Sequence, residues 1–163
     1  MLAELDRLRA RRRRLVGVLQ VLQPPLASNE GFFSPSEQQA EQQGCAASFR
    51  ALRQDLAAVE KALKALLAAD TAAAHRYERI TCVPGVGLVT AVEILLMTKE
   101  FQHSTDPNHY ASYAGGVPFE RSAGPYKGRP RVRAQANKQV KTLRHLAALS
   151  AVRFSPVLKA YLL

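Results

Sequence analysis

Residues Ser34–Ala69 read SPSEQQAEQQGCAASFRALRQDLAAVEKALKALLAA, and they decide the architecture. Ser34 precedes Pro35, and Glu37 stands three positions after the serine. A serine N-cap, a proline in the first helical position and a glutamate able to reach back to the cap mark a helix start. Downstream, Cys45, Phe49, Leu52, Leu56, Val59, Leu63 and Leu66 alternate spacings of four and three. That is a heptad seam, in a helix expected to reach about Ala69 and to measure roughly 50 Å at 1.5 Å per residue. Such a stripe cannot stay bare in water. It folds back on an earlier helix, pairs with a second copy of the chain, or does both.

Residues 1–23 supply the earlier helix. Leu5, Leu8, Leu15, Leu19 and Leu22 recur at helical spacing, and Arg12 interrupts their stripe. Six arginines lie between Arg7 and Arg14. They read either as a phosphate-binding arm or, the favoured reading, as a solvated face whose arginine stems cover apolar surface. Pro24-Pro25 is expected to end this helix, with a loop over 26–34. A helical hairpin over 1–79 follows, with a homo-oligomer formed through the long helix.

The whole chain has 163 residues, 47% of them apolar, and no tryptophan. Much of the apolar content is alanine and leucine, which suits closely packed helices. The fold class expected is mainly α. The formal charge of +10 is unevenly placed: residues 1–120 are neutral, whereas Arg121–Leu163 hold ten Lys or Arg and no acidic residue. A charge gathered at one end points to a polyanion, with nucleic acid foremost, against a merely solvated basic tail. Cys45 and Cys82 have no metal-ligand partner at short spacing. Both read as reduced, half-buried thiols, and the expected location is the cytoplasm. No stretch approaches 18 apolar residues and no secretory pattern opens the chain, so no membrane contact is expected.

Ile80–Ala91 carries the first specific motif: an apolar lead, then Pro84-Gly85-Val86-Gly87, then a helix with alanine in its first buried turn. The pattern matches a helix-hairpin-helix. Its glycines allow a sharp turn and close approach of a ligand, and the next helix start offers free amides to a nucleic-acid phosphate. The alternative is a tight turn used only for packing. Val89–Met97 continues as an apolar helix in which Glu93 is the only charge. Glu93 is expected on an exposed face, with a metal ligand as the lesser alternative. Thr105-Asp106-Pro107 signals another helix start, and that helix is expected over Asn108–Ala114.

Gly115-Gly116-Val117-Pro118-Phe119-Glu120-Arg121-Ser122-Ala123-Gly124 then reads as a tight irregular loop between helices. Arg129, Arg131 and Arg133 alternate with other residues in an extended segment, which can lay three arginines along one side. A last helix is expected over Ala136–Arg153. Val140, Leu143, Leu146, Ala147 and Ser150 are expected inward, and Lys138, Lys141 and Arg144 on adjoining faces.

Tyr113-Ala114-Gly115, Pro118, Ser122-Ala123-Gly124, Gly128, Ala136-Asn137-Lys138, Leu143 and Ala147-Ala148 occur in an order that resembles the C-terminal domain of insertion-sequence transposases of the IS110 and IS116 group. Val83-Pro84-Gly85-Val86-Gly87 with Thr90-Ala91 is similar to the start of that domain. The resemblance runs from about Ile80 to Leu163, so a domain is expected over 80–163. It implies a DNA-joining enzyme with a composite site. One half is a RuvC-like domain whose acidic tetrad binds magnesium. The other is a serine, at Ser122 by position, that attacks a DNA phosphate and holds it as a phosphoserine. A structured guide RNA is also implied.

On this reading Arg121, Lys127, Arg129, Arg131 and Arg133 neutralise phosphate, and Lys138, Lys141 and the hairpin Pro84, Gly85, Val86, Gly87 contact DNA. Asn137 caps or positions its helix. The sequence departs from the family in having Arg133-Ala134 where a Ser-Lys pair is common and Ala136 where a glycine is. It also lacks the RuvC-like half and a further helical tail. No cofactor is therefore expected on these residues, and magnesium only with a RuvC-like domain. The rival expectations are a non-catalytic nucleic-acid-binding module and a coiled-coil regulator of a transposase.

Overall fold

The computed structural model describes residues 1–28, 34–102, 106–123, 126–132 and 137–160. The chain divides into two compact units, Met1–Ala69 and Asp70–Leu163. Asp70 is the N-cap of the helix that opens the second unit. Across the described residues the protein is mainly helical, with one two-stranded sheet.

In the first unit, α1 (Leu2–Ser28) packs on α2 (Pro35–Ala69) as a helical hairpin. Leu5 is fully buried, and Val59, Leu63 and Leu67 form the buried line of α2. The seam thus ends on Leu67 at spacings of four, and Leu66 is only half-buried. A straight helix of 3.6 residues per turn drifts from a 3.5-residue seam, so the inward position slips by one over a few turns. Arg12 interrupts the leucine stripe without breaking the packing. Its Nε donates to Glu60 Oε1 at 2.8 Å from the neighbouring helix, while its stem stays largely covered. Arg7, Arg11, Arg13 and Arg14 are exposed, whereas Arg9 is half-buried and bonded to Asp6.

α1 differs from expectation at its end. It continues through Pro24-Pro25 to Ser28. Proline's fixed φ is compatible with a helix, and the two missing amides fall in the last turns, where helical bonding is already running out. The start of α2 is also a variant of the expected cap. Glu37 accepts from both the Ser34 hydroxyl, at 2.7 Å, and the Ser34 amide, at 2.8 Å. The serine hydroxyl is thus turned towards the carboxylate.

The second unit begins with α3 (Thr71–Thr81) and α4 (Leu88–Met97), joined by the Pro84 turn. α5 (Pro107–Tyr113) follows, then a β-hairpin of β1 (Phe119–Ala123) and β2 (Tyr126–Arg131), then α6 (Lys138–Phe154) and α7 (Pro156–Ala160). α4 packs against both α3 and α6. It buries Thr90, Ala91, Val92, Glu93 and Leu95, which makes it the centre of this unit.

Three helices here start on short polar side chains. Asp70 accepts from the Ala72 and Ala73 amides, Asp106 from Asn108, and Asn137 from Gln139 and Val140. Each satisfies donors that the first helical turn leaves without intrahelical partners. The capping roles expected for Asp106 and Asn137 are present.

Several sequence expectations are corrected by neighbours distant in the chain. Glu93 is buried, at 4% exposure, because α6 covers α4. Gln139 Nε2 donates to Glu93 Oε2 at 3.4 Å from the first turn of α6, whose positive dipole end favours an anion. Leu146 is 54% exposed, because the inward stripe of α6 runs through Val140, Ala147 and Ala151, off its azimuth. Cys82 is exposed and Cys45 is half-buried, and both are free thiols. The stretch read as an irregular loop between helices is instead a helix cap followed by β1. No described helix is long and apolar enough to cross a membrane.

The two hydrogen bonds from Ser34 hold the Glu37 carboxyl below its ordinary value, the hydroxyl bond being the larger cause and the amide bond the second. A carboxylate depressed in this way contributes stability above its unfolded pKa and loses it as pH falls through the folded pKa. In Ser34→Ala the pKa of Glu37, followed by carboxyl-carbon NMR, is expected to rise towards the ordinary value. An unchanged pKa would refute this origin of the shift.

Candidate nucleic-acid site

The Pro84 turn is fixed by packing. Gly85 has φ +84°, the left-handed region that a side chain disfavours. A Cβ built on it would sit 2.2 Å from the Ala147 carbonyl oxygen and 2.8 Å from the Ala151 nitrogen. Gly85 therefore lets the turn approach the backbone of α6 itself. Gly87 behaves differently: a Cβ there would meet nothing within 4 Å. It is the N-cap of α4 at φ −101°, with no side-chain hydrogen bond to the first turn. The sequence motif treats the two glycines alike, but one is a packing residue and the other an open helix start.

Beside the turn lies an open, mainly apolar cleft of about 530 Å³. Its lining includes Pro84 and Val86 of the turn and Ala147 and Ala148 of α6, together with Phe101, Tyr110, Arg79 and Arg144. The Arg144 guanidinium stands over the Tyr110 ring at 5.4 Å from its centroid, within cation–π range. Burial pushes the Tyr110 hydroxyl above its ordinary pKa, and the Arg144 charge pulls in the opposite direction.

Phe101 reaches the cleft by an unusual route. Lys99, Glu100 and Phe101 all have positive φ, at 45°, 59° and 63°. Each such non-glycine residue costs about 1 kcal/mol or more. The run starts as a Schellman cap on α4, the Glu100 amide donating to Leu95 O at 2.9 Å, and two side-chain anchors hold it. The buried Thr98 hydroxyl accepts from the Phe101 amide at 3.2 Å. The Glu100 carboxylate, largely covered, pairs with Arg76 of α3 at 2.7 Å.

The serine stretch is built from a helix end and a hairpin. Gly115, at φ +70°, closes α5: its amide donates to Ser112 O, and the Gly116 amide donates to Ala111 O at 2.8 Å. This is a Schellman cap, and it frees the chain to leave as a strand. β1 then pairs antiparallel with β2. Ser122 is in register with Lys127, Arg121 with Gly128 and Phe119 with Arg131, with an irregularity between Phe119 and Arg121. Such bulges bend a strand and shift the phase of its positions. Arg121, Ser122 and Lys127 are described by their backbone. Arg129 and Arg131 alternate along β2 and are exposed, and Arg133 lies outside the described residues.

Lys138 and Lys141 are exposed on the first turns of α6. Gly85 meets the same helix at Ala147, roughly 14 Å beyond Lys138 and about 9 Å beyond Lys141 along its axis at 1.5 Å per residue. The expected DNA-binding residues thus fall into separate groups: the turn and its cleft, the β-hairpin, and the start of α6. Phe101, Tyr110, Arg79 and Arg144 were absent from the expected site. Only Arg144 carried a sequence signal, as a cation in the basic last helix. Among the described residues no group of three or more His, Cys, Asp or Glu is placed to hold a metal ion.

Residues 77–163, covering more than half of the chain, match the family model described as Transposase IS116/IS110/IS902 family. None of the curated proteins compared with the chain matches it.

The two glycines give a direct test of the turn. Gly85→Ala is expected to destabilise the protein by about 2 kcal/mol or more, through the clash with α6 and the left-handed φ. Gly87→Ala, with open space and ordinary φ, is expected to cost under about 1 kcal/mol. Urea denaturation of both variants checks the contrast, and equal losses would contradict it.

Proposed function

The chain belongs to the IS116/IS110/IS902 transposase family, and on that premise we propose that its second unit is the serine-bearing half of a DNA strand-transfer site. Ser122 is the nucleophile. Its Oγ forms a bond to phosphorus as the bond from phosphorus to a sugar oxygen breaks. The hydroxyl proton leaves Ser122 and the departing sugar oxygen takes one up. The phosphoserine conserves the phosphodiester until a second sugar hydroxyl attacks it and regenerates the serine. The observation that carries this reading is the family match together with the hairpin register, which sets Ser122 opposite Lys127 in a ladder whose second strand bears the exposed Arg129 and Arg131.

Cations so placed suit a pentacovalent phosphate, whose extra negative charge they stabilise. Arg121 and Arg133 extend the same basic stretch. Lys138 and Lys141 would track the DNA backbone from the start of α6. The α4 start supports a further phosphate contact at Pro84-Gly85-Val86-Gly87, because its N-cap Gly87 makes no side-chain hydrogen bond to the first turn. The magnesium chemistry belongs to a RuvC-like domain, with a structured RNA as guide. α1 and α2 would bring two copies together through their remaining surface, on which Val18 and Val21 are exposed. A nucleic-acid-binding module without chemistry is the second reading, favoured by the spread of the basic groups over several elements.

With a RuvC-like domain, magnesium and guide RNA supplied, Ser122→Ala is expected to lower strand joining about a thousandfold or more while DNA binding persists. Joining at the wild-type rate would exclude Ser122 as nucleophile. Separately, Arg129→Ala and Arg131→Ala are each expected to reduce the slope of log affinity against log salt by about one. Slopes that do not change in a fluorescence-anisotropy titration would remove these arginines from the DNA interface.

A further inference from the structure

We infer that the cleft beside the Pro84 turn receives an unstacked nucleobase from the bound DNA strand. This rests on the DNA-binding reading above and adds to it a site for the base. The cleft measures about 530 Å³ and is mainly apolar, which falls in the range of small-molecule pockets and is ample for a base with its sugar. Two aromatic rings, Phe101 and Tyr110, line it, and Arg144 lays its guanidinium over the Tyr110 ring. Aromatic and guanidinium planes are the groups on which splayed bases stack, and such stacking tolerates any sequence.

Charge selects the occupant. Among the described residues the ionisable groups lining the cleft are Tyr110, Arg79 and Arg144, with no carboxylate among them. A purely hydrophobic peptide side chain would gain nothing from two arginines. A nucleotide combines a flat apolar base with an anionic phosphate and satisfies both. Pro84, part of the lining, belongs to the turn that leads into the uncapped α4 start, so base and phosphate sites adjoin in one segment.

The backbone around Phe101 gives an independent reason. Lys99 takes the left-handed position of the cap that closes α4, but Glu100 and Phe101 continue at positive φ beyond that position, and core packing does not demand it of Phe101, which remains 38% exposed. The Thr98 and Arg76–Glu100 contacts hold this conformation and keep an aromatic ring at the mouth of the cleft. Strain of this kind is retained where a side chain must be presented.

The test compares a labelled ten-nucleotide DNA strand with a strand of equal length and charge made of abasic units, by fluorescence anisotropy. The intact strand is expected to bind at least about fivefold more tightly, the scale of one stacked base. Ala148→Trp, which fills the cleft, and Phe101→Ala, which removes one ring, are expected to bring that ratio close to one. Circular dichroism of both variants should match wild type. Equal binding of intact and abasic strands by wild type overturns the base site and leaves DNA binding standing. A ratio that survives both variants overturns it as well. Binding of neither strand overturns this inference together with the DNA-binding reading. A base preference seen on RNA but not on DNA of the same sequence overturns DNA as the occupant.

Discussion

Gly85 sits where a single methyl group would collide with the backbone of α6, 2.2 Å from the Ala147 carbonyl. That closeness sets how the α3–α4 turn meets the last long helix. α6 presents Ala147 and Ala151 at this face, so small residues on one side answer the glycine on the other. With the turn pinned there, α4 is enclosed between α3 and α6, and Thr90, Ala91, Val92 and Leu95 become core. The cleft is the space left beside the contact, bounded by the same turn and the same helix. The packing of one glycine thus ties the stability of the second unit to the shape of its concave surface.

The local geometry around this contact is mostly determined by short polar groups. Asp70, Asp106 and Asn137 start their helices, and Gly115 stops α5 in a Schellman cap. α4 departs from this pattern on both sides. It starts on Gly87 without a side-chain cap, and its own Schellman cap puts the non-glycine Lys99 at the left-handed position, with Glu100 and Phe101 following at positive φ. Natural sequences tend to depart from local preference where a site needs it. Both departures on α4 border the cleft or the turn, which is where the nucleic-acid reading also falls.

The chain belongs to a transposase family, and the strand-transfer proposal rests on the β-hairpin of its second unit. The β-hairpin is the element least like the rest of the molecule. It interrupts a helical chain to hold Ser122 in a ladder with Lys127, next to a strand that displays arginines at alternate positions. A paired strand fixes its residues by backbone hydrogen bonds on both sides of the serine, a firmer support than a glycine-rich loop would offer.

Much of this was legible in the chain. The heptad spacing from Cys45 gave the long helix, because a hydrophobic period depends only on the chain's own geometry. The caps at Asp106 and Asn137 were readable for the same reason: a cap is made by residues within four positions of one another. The concentration of charge after Glu120 and the ordered motifs that carry the family likeness are also properties of the sequence itself. Tertiary structure decided whatever depends on a distant neighbour. Glu93 is buried because α6 covers it, not because of its place in a period. Gly85 and Gly87 part company because Ala147 lies beside one and open space beside the other. Ser122 lies on a strand because residues 126–131 pair with it, and Phe101, Tyr110 and Arg144 share a cleft because three separate segments converge there. No local pattern encodes such convergence, since side chains far apart in sequence meet only once the helices have packed.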